Sequence, residues 1–167
     1  MKHIVSAAAG LSILLAGCAG APRPAVEVPD ILKPAATESL AIVASAKGVQ
    51  IYECRAGTWA FVAPEAELFD AAGRSIGKHY AGPRWEAADG SKVLGTVKQR
   101  ADAPQAGAIP WLLLAAKSEG PEGTFSRVTS VQRVATVGGS APAGSCAQAG
   151  ARARVPYTAD YYFFSAK

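Results

Sequence analysis

Histidine is scarce in this chain: His3 and His79 are the two in 167 residues. If His3 leaves with a leader, the one that remains does not build a His-rich zinc site, and no metal or cofactor is expected. The sequence also lacks a G-x-S-x-G elbow, a G-x-G-x-x-G turn, an H-E-x-x-H pair and an acidic calcium loop. Serine-hydrolase, dinucleotide-binding, zinc-protease and EF-hand readings therefore lose their signatures. Charge of one sign never runs. Lysines and arginines number 17 against 13 acids, a formal +4, and they are scattered along the chain. Nucleic acid is not an expected partner, because no basic patch forms. No internal repeat is visible, and no apolar run is long enough for a membrane-crossing helix.

What is present begins with "MKHIVSAAAGLSILLAGCAG". A positive start at Lys2 and a short apolar run from Ile4 to Leu15 have the form of a secretory leader. It ends in Leu15-Ala16-Gly17-Cys18, which resembles the bacterial lipobox that precedes a diacylated cysteine. A cut after Ala21 competes, but Pro22 would follow the cleaved bond. The expected organisation is a signal peptide over 1–17, a lipidated Cys18 with a Pro-rich tether over 18–36, and one β-rich domain over 37–167. Acyl chains on Cys18 would make the membrane a partner. Ala19, in place of aspartate, favours the outer membrane, with the domain facing the periplasm.

Cys54 and Cys146 then form an even pair without metal-ligand spacing. In an oxidising compartment they are expected to form a disulfide, which would contribute about 4 to 5 kcal/mol by chain entropy. Buried free thiols are the alternative.

From Leu40 onward short apolar runs alternate with glycine and proline. "GVQIYECR" sets Gln50, Tyr52 and Cys54 against Val49, Ile51 and Glu53. "SKVLGTVKQR" sets Val93 and Val97 against Lys92, Lys98 and Arg100, and "RVPYTADYYFF" places Val155, Tyr157, Tyr161 and Phe163 together. "PEAELFDAA" reads either as a helical turn or as part of a hairpin around Gly73. "IPWLLLAAKSEG" suits a helix or a buried strand; Pro110, Gly120 and its β neighbours favour the strand. "GGSAPAGSCAQAGARA" reads as a long exposed loop. The fold expected is all-β: a single antiparallel sandwich or flattened barrel of about seven to nine strands.

"GKHYAGPRWEAADGS", Gly77 to Ser91, gathers the most chemistry. Gly82-Pro83 makes a bend, and Asp89-Gly90 is expected to form a two-residue hairpin turn. Three readings compete. Trp85 and Tyr80 pack under the bend; or they offer a stacking surface with polar anchors; or His79 and Glu86 act as general base and acid, with a partner from another strand. The candidate ligand-binding residues are Gln50, Tyr52, His79, Tyr80, Trp85 and Glu86, with Asp160 and Tyr162 a weaker second choice. Carboxylates at Glu53, Glu65, Glu67, Glu86, Asp89 and Asp160 follow no spacing rule, and a solvated surface is their default.

The blocks "AKGVQIYEC", "PEAELFD", "GKHYAGPRWEAADGSKV", "AIPWLLLAA", "GTFSRVTSVQRVATVGGSAP", "GSC" and "VPYTADYYFF" resemble, in order, those of domain of unknown function 3455. The likeness runs from about Pro29 to Phe164. It implies one secreted or envelope domain rich in β, and brings no activity, substrate or cofactor with it. The leading expectation is a lipid-anchored envelope domain that binds a small molecule, a glycan or an envelope partner without catalysis. An envelope hydrolase or lyase using His79 and Glu86, and a purely structural or interaction module, are the alternatives.

Overall fold

The alternation in "GVQIYECR" becomes one wall of a closed barrel. The computed structural model describes residues 26–167. Eight antiparallel strands follow one another around the ring in chain order. They are β1 (Glu38–Arg55), β2 (Thr58–Phe69), β3 (Ser75–Tyr80), β4 (Arg84–Ala87), β5 (Lys92–Ala101), β6 (Trp111–Glu119), β7 (Val128–Gly138) and β8 (Arg152–Ala166). β8 closes the ring by pairing with β1 from Glu38↔Ala166 to Glu53↔Arg152. Closure leaves no edge strand whose backbone groups would need another partner.

Side chains alternate inward and outward with period two. Ala44, Ala46, Gln50, Tyr52 and Cys54 on β1 are buried, as the sequence pattern requires. On β8 Tyr157, Ala159, Tyr161 and Phe163 alternate as buried residues, and Phe164 is buried beside them. "IPWLLLAAKSEG" is a strand, β6, and "PEAELF" belongs to β2. The loop between β2 and β3 is a hairpin connection in which Asp70 Oδ1 accepts from the amides of Ala72 and Arg74, both at 2.9 Å, and Gly73 takes φ +75°.

Two local expectations need correction. Asp89-Gly90 is not a two-residue turn: the β4–β5 loop has four residues, Ala88 to Ser91, closed by Ala87 N–H to Ser91 O at 2.9 Å. The reason is Asp89, whose carboxylate gathers the Ser91 amide and hydroxyl and the Thr124 amide and hydroxyl, tying this loop to the one before β7. The second correction concerns β5. A bulge between Val97 and Gln99 shifts the alternation, so Arg100 turns to the same side as Val97 instead of opposing it.

The segment expected as a free tether over 18–36 is ordered in its second half. Val26 and Val28, a 3₁₀ turn at Asp30–Leu32 and the fully buried Leu32 pack on the outside of the barrel against Trp111, Leu113 and Val134. Gln132 Nε2 donates to the Leu32 carbonyl at 2.7 Å. The physical reason is that β6 and β7 carry apolar groups on both faces, and the outer set needs cover. The expected signal peptide and the lipidation at Cys18 lie outside the described residues.

A meander puts alternate loops at opposite ends. The end with the β2–β3, β4–β5 and β6–β7 loops is filled: Phe125 stacks on Phe163 with ring centroids 4.6 Å apart, and Val93, Val128 and Leu68 complete the plug. The opposite end carries the β1–β2, β3–β4, β5–β6 and β7–β8 loops. Its longest loop, between Gly138 and Arg152, is pinned by the Cys54–Cys146 disulfide, with Cα atoms 5.7 Å apart. The expected pairing is therefore present. Cys146 N–H to Gly57 O, and Gly150 N–H to Cys54 O, both 2.9 Å, add backbone bonds around it.

Replacing both Cys54 and Cys146 with serine should cost about 2 to 5 kcal/mol, read as a lowered urea midpoint. An unchanged midpoint would show that the loop is held by its backbone bonds alone.

Candidate functional site

The open end leads into a cavity of about 590 Å³, within the roughly 300–1,000 Å³ usual for small-molecule sites. Its walls come from all eight strands. β1 supplies Gln50 and Tyr52, β2 Phe61 and Pro64, β3 and β4 His79 and Trp85. β5 and β6 add Val97, Arg100, Leu112 and Leu114, and β7 and β8 add Arg133 and Tyr161. Gly95 makes room for the floor: a methyl group there would come within 2.7 Å of the Trp85 ring.

Of the six candidates from sequence, four face this cavity together: Gln50, Tyr52, His79 and Trp85. Tyr80 and Glu86 do not. His79 pairs across the ladder with Trp85, whereas Tyr80 pairs with Arg84 and Lys78 with Glu86, so these two pairs point outward. On the outer surface the Tyr80 hydroxyl donates to Glu86 Oε2 at 2.6 Å, with Lys78 and Lys92 beside the same carboxylate. Those contacts, led by the tyrosine bond, hold the Glu86 carboxyl below its usual range. His79 and Glu86 thus lie on opposite faces of the wall and do not meet one ligand. Asp160 and Tyr162, next to inward Tyr161, share the outer face as well.

His79 is fully buried. Its Nδ1 lies 2.8 Å from the Arg84 carbonyl, an acceptor only, so Nδ1 carries the proton and donates. Burial, with the Arg133 charge adding to it against the carbonyl bond, pushes the imidazole pKa down to about 3. The ring is neutral at ordinary pH and stacks on Trp85, centroids 4.4 Å apart and planes 10° from parallel. One face of Trp85 is therefore covered by His79, which leaves less of the indole as a stacking platform than the sequence suggested. Tyr161 meets both rings edge-on.

The polar groups inside are chiefly donors. Tyr52 gives its hydroxyl proton to Gly139 O at 2.7 Å. The Tyr157 and Tyr161 hydroxyls lie 3.4 Å apart, and burial raises the pKa of both. Trp85 Nε1 is a buried donor with no hydrogen-bond partner, as is Trp111 Nε1 in the outer cluster, whereas the Gln50 side chain is engaged with the Tyr157 hydroxyl. Trp85 is 1% exposed, so water outside the barrel does not serve its indole N–H. Arg133 donates from Nε and Nη2 to the Pro110 carbonyl, at 3.1 and 2.8 Å, while Arg100 stands exposed at the mouth. Among the described residues no carboxylate lines the cavity.

Sequence reading missed Arg133, Arg100 and Tyr161 as site residues. Arg133 sits within "SRVTSVQRVATV", where Ser130, Gln132 and Val134 are buried too. A strand covered on both faces offers no polarity signal for the inward set. Arg100 depends on the β5 bulge.

A larger, shallower groove of about 990 Å³ crosses the outside of β1 to β4. Its charges neutralise one another, through Lys78–Glu86 and Arg154–Glu65. No group of three or more possible metal ligands occurs among the described residues.

Fold and cavity together define a closed up-and-down barrel with a ligand-sized interior open at one end. The chain belongs to the family described as "Protein of unknown function (DUF3455)", whose model matches residues 34–165. No curated protein and no solved structure matches it.

The depressed His79 pKa sets a pH dependence. Between about 3 and 6.5 the unfolded chain binds a proton at this position that the folded chain does not. Stability therefore falls as pH drops below 6.5, by on the order of 2 kcal/mol at pH 5. His79→Gln, which retains a donor for the Arg84 carbonyl, should flatten urea midpoints between pH 7 and 5. An equal slope in both proteins would refute the assignment.

Proposed function

We propose that this is a lipid-anchored binding protein of the cell envelope, non-catalytic, whose barrel interior holds a small apolar molecule. The observation that carries the reading is the cavity itself: an aromatic and aliphatic chamber with a buried, unpartnered indole N–H at Trp85. Unsatisfied buried donors cost free energy, on the order of 1–3 kcal/mol each, and a ligand acceptor removes that cost. The mouth is also apolar, since Phe61 and Val97 are more than half exposed there. Exposed apolar groups around a concave opening suit the passage of an apolar guest. The opposed placement of His79 and Glu86, with no carboxylate among the described lining residues, favours binding over acid–base chemistry.

The envelope half of the reading rests on the lipobox at Leu15 to Cys18 and on Ala19, which suits an outer-membrane address facing the periplasm. The Cys54–Cys146 disulfide supports an oxidising compartment. Anchoring would hold the cavity near the membrane surface, where sparingly soluble molecules concentrate.

The neutral dye N-phenyl-1-naphthylamine tests the cavity. Its fluorescence should rise saturably at one molecule per chain, and Leu112→Trp, which fills the chamber, should abolish the rise without changing the far-ultraviolet spectrum. Dye binding unaltered by Leu112→Trp would place the apolar site elsewhere and overturn the reading.

A further inference from the structure

We infer that the ligand of this cavity is an apolar molecule ending in a carboxylate, its head group held by Arg133 inside the barrel and met by Arg100 at the mouth. The inference rests on the cavity-binding reading above and adds the chemistry of the head group.

The first observation is an imbalance of charge. Carboxylates on the outer surface find cations: Glu53 with Arg55 and Arg152, Glu65 with Arg154, Glu119 with Arg84, Asp70 with Arg74. The two arginines that line the cavity have no such partner among the described residues. Arg133 is half-buried, and the groups it bonds, the Pro110 carbonyl and the Tyr161 hydroxyl, are neutral, so no carboxylate among the described residues balances its positive charge. A partly desolvated cation of this kind is stabilised when an anion enters beside it.

The second observation is independent of charge. Trp85 Nε1 is a donor without an acceptor, on a residue almost wholly buried in the same chamber. Tyr52 and Tyr161 line the same space and feel the Arg133 charge, which works against the rise that burial imposes on each hydroxyl pKa. The chamber thus presents guanidinium and indole N–H groups and no carboxylate among its described lining residues. A carboxylate is acceptor-only and offers about four lone-pair sites. An alcohol or amine brings donors of its own, which this chamber does not need. Bidentate pairing with a guanidinium would fix its orientation.

The remaining wall is apolar: Phe61, Val97, Leu112 and Leu114 line the approach, with Pro64 and Ile109 beside them. This suits a hydrocarbon body lying along these residues, with its head group between the two arginines. A purely polar anion such as phosphate would leave that surface wet.

Displacement of bound N-phenyl-1-naphthylamine by three probes of equal chain length, decanoate, decanol and decylamine, decides the matter in the purified protein. Decanoate should displace the dye about tenfold more effectively than decanol, and decylamine less effectively than decanol. In Arg100→Gln/Arg133→Gln the advantage of decanoate should vanish while decanol is unchanged, and Arg133→Lys with Arg100 intact should keep part of it. Should the double variant fail to fold, the wild-type ranking and Arg100→Gln, whose side chain is exposed, carry the test. If decanol equals decanoate in the wild type, the cavity reading stands and the carboxylate inference falls. If neither the dye nor any probe binds, both fall.

Discussion

Closure between the first and last strands is the constraint on which the molecule depends. β1 and β8 pair over almost the whole length of each, from Glu38↔Ala166 to Glu53↔Arg152. Without that seam the eight strands would be an open sheet with two exposed edges, and the inward faces would have nothing to enclose. The seam also sets Tyr161 and Tyr157 of the last strand opposite Ala44 and Gly48 of the first. Large groups on one strand fit because small ones stand beside them. The packing of the interior is thus a consequence of which strands became neighbours.

From the ring follows a division of labour between its two ends. One end is plugged by the Phe125–Phe163 stack and held by Asp89, whose carboxylate joins the β4–β5 and β6–β7 loops. The hydrogen bonds it accepts hold that carboxyl well below the usual range. At the other, open end the loops are tied back: the β7–β8 loop by the disulfide, the β5–β6 loop by Arg133 and Thr136 to the carbonyls of Pro110 and Ile109. The same arginine that fastens a loop supplies the charge inside the chamber. Structural and binding roles therefore meet on Arg133, which separates its contribution to stability from its contribution to recognition only through charge-conserving substitution.

Local pattern made much of this legible. The inward set Gln50, Tyr52, Cys54 could be read from β1 because one face meets the core and the other meets solvent. The same logic picked out Tyr157, Tyr161 and Phe163 on β8. It was less successful where that contrast disappears. β7 is covered on its outer face by the Leu32 segment, so Arg133 looked like any residue of an apolar run. On β5 a single extra residue reversed the phase, and Arg100 changed sides. In "GKHYAGPRWEAADGS" proximity in the chain suggested one cluster. Alternation split it instead, sending His79 and Trp85 inward and Tyr80 and Glu86 outward.

The sequence by itself determined the class of fold, the even pair of cysteines and their bridge, and four of the residues that line the cavity. These follow from local physics: strand periodicity, turn formers and thiol pairing need only near neighbours or a count. Tertiary structure alone decided that the sheet closes, which end stays open, and that Arg100 and Arg133 stand among the cavity walls without a carboxylate from any described residue. Those outcomes depend on register between strands far apart in the chain, and a shift of one residue in register exchanges the inside of a barrel for its outside.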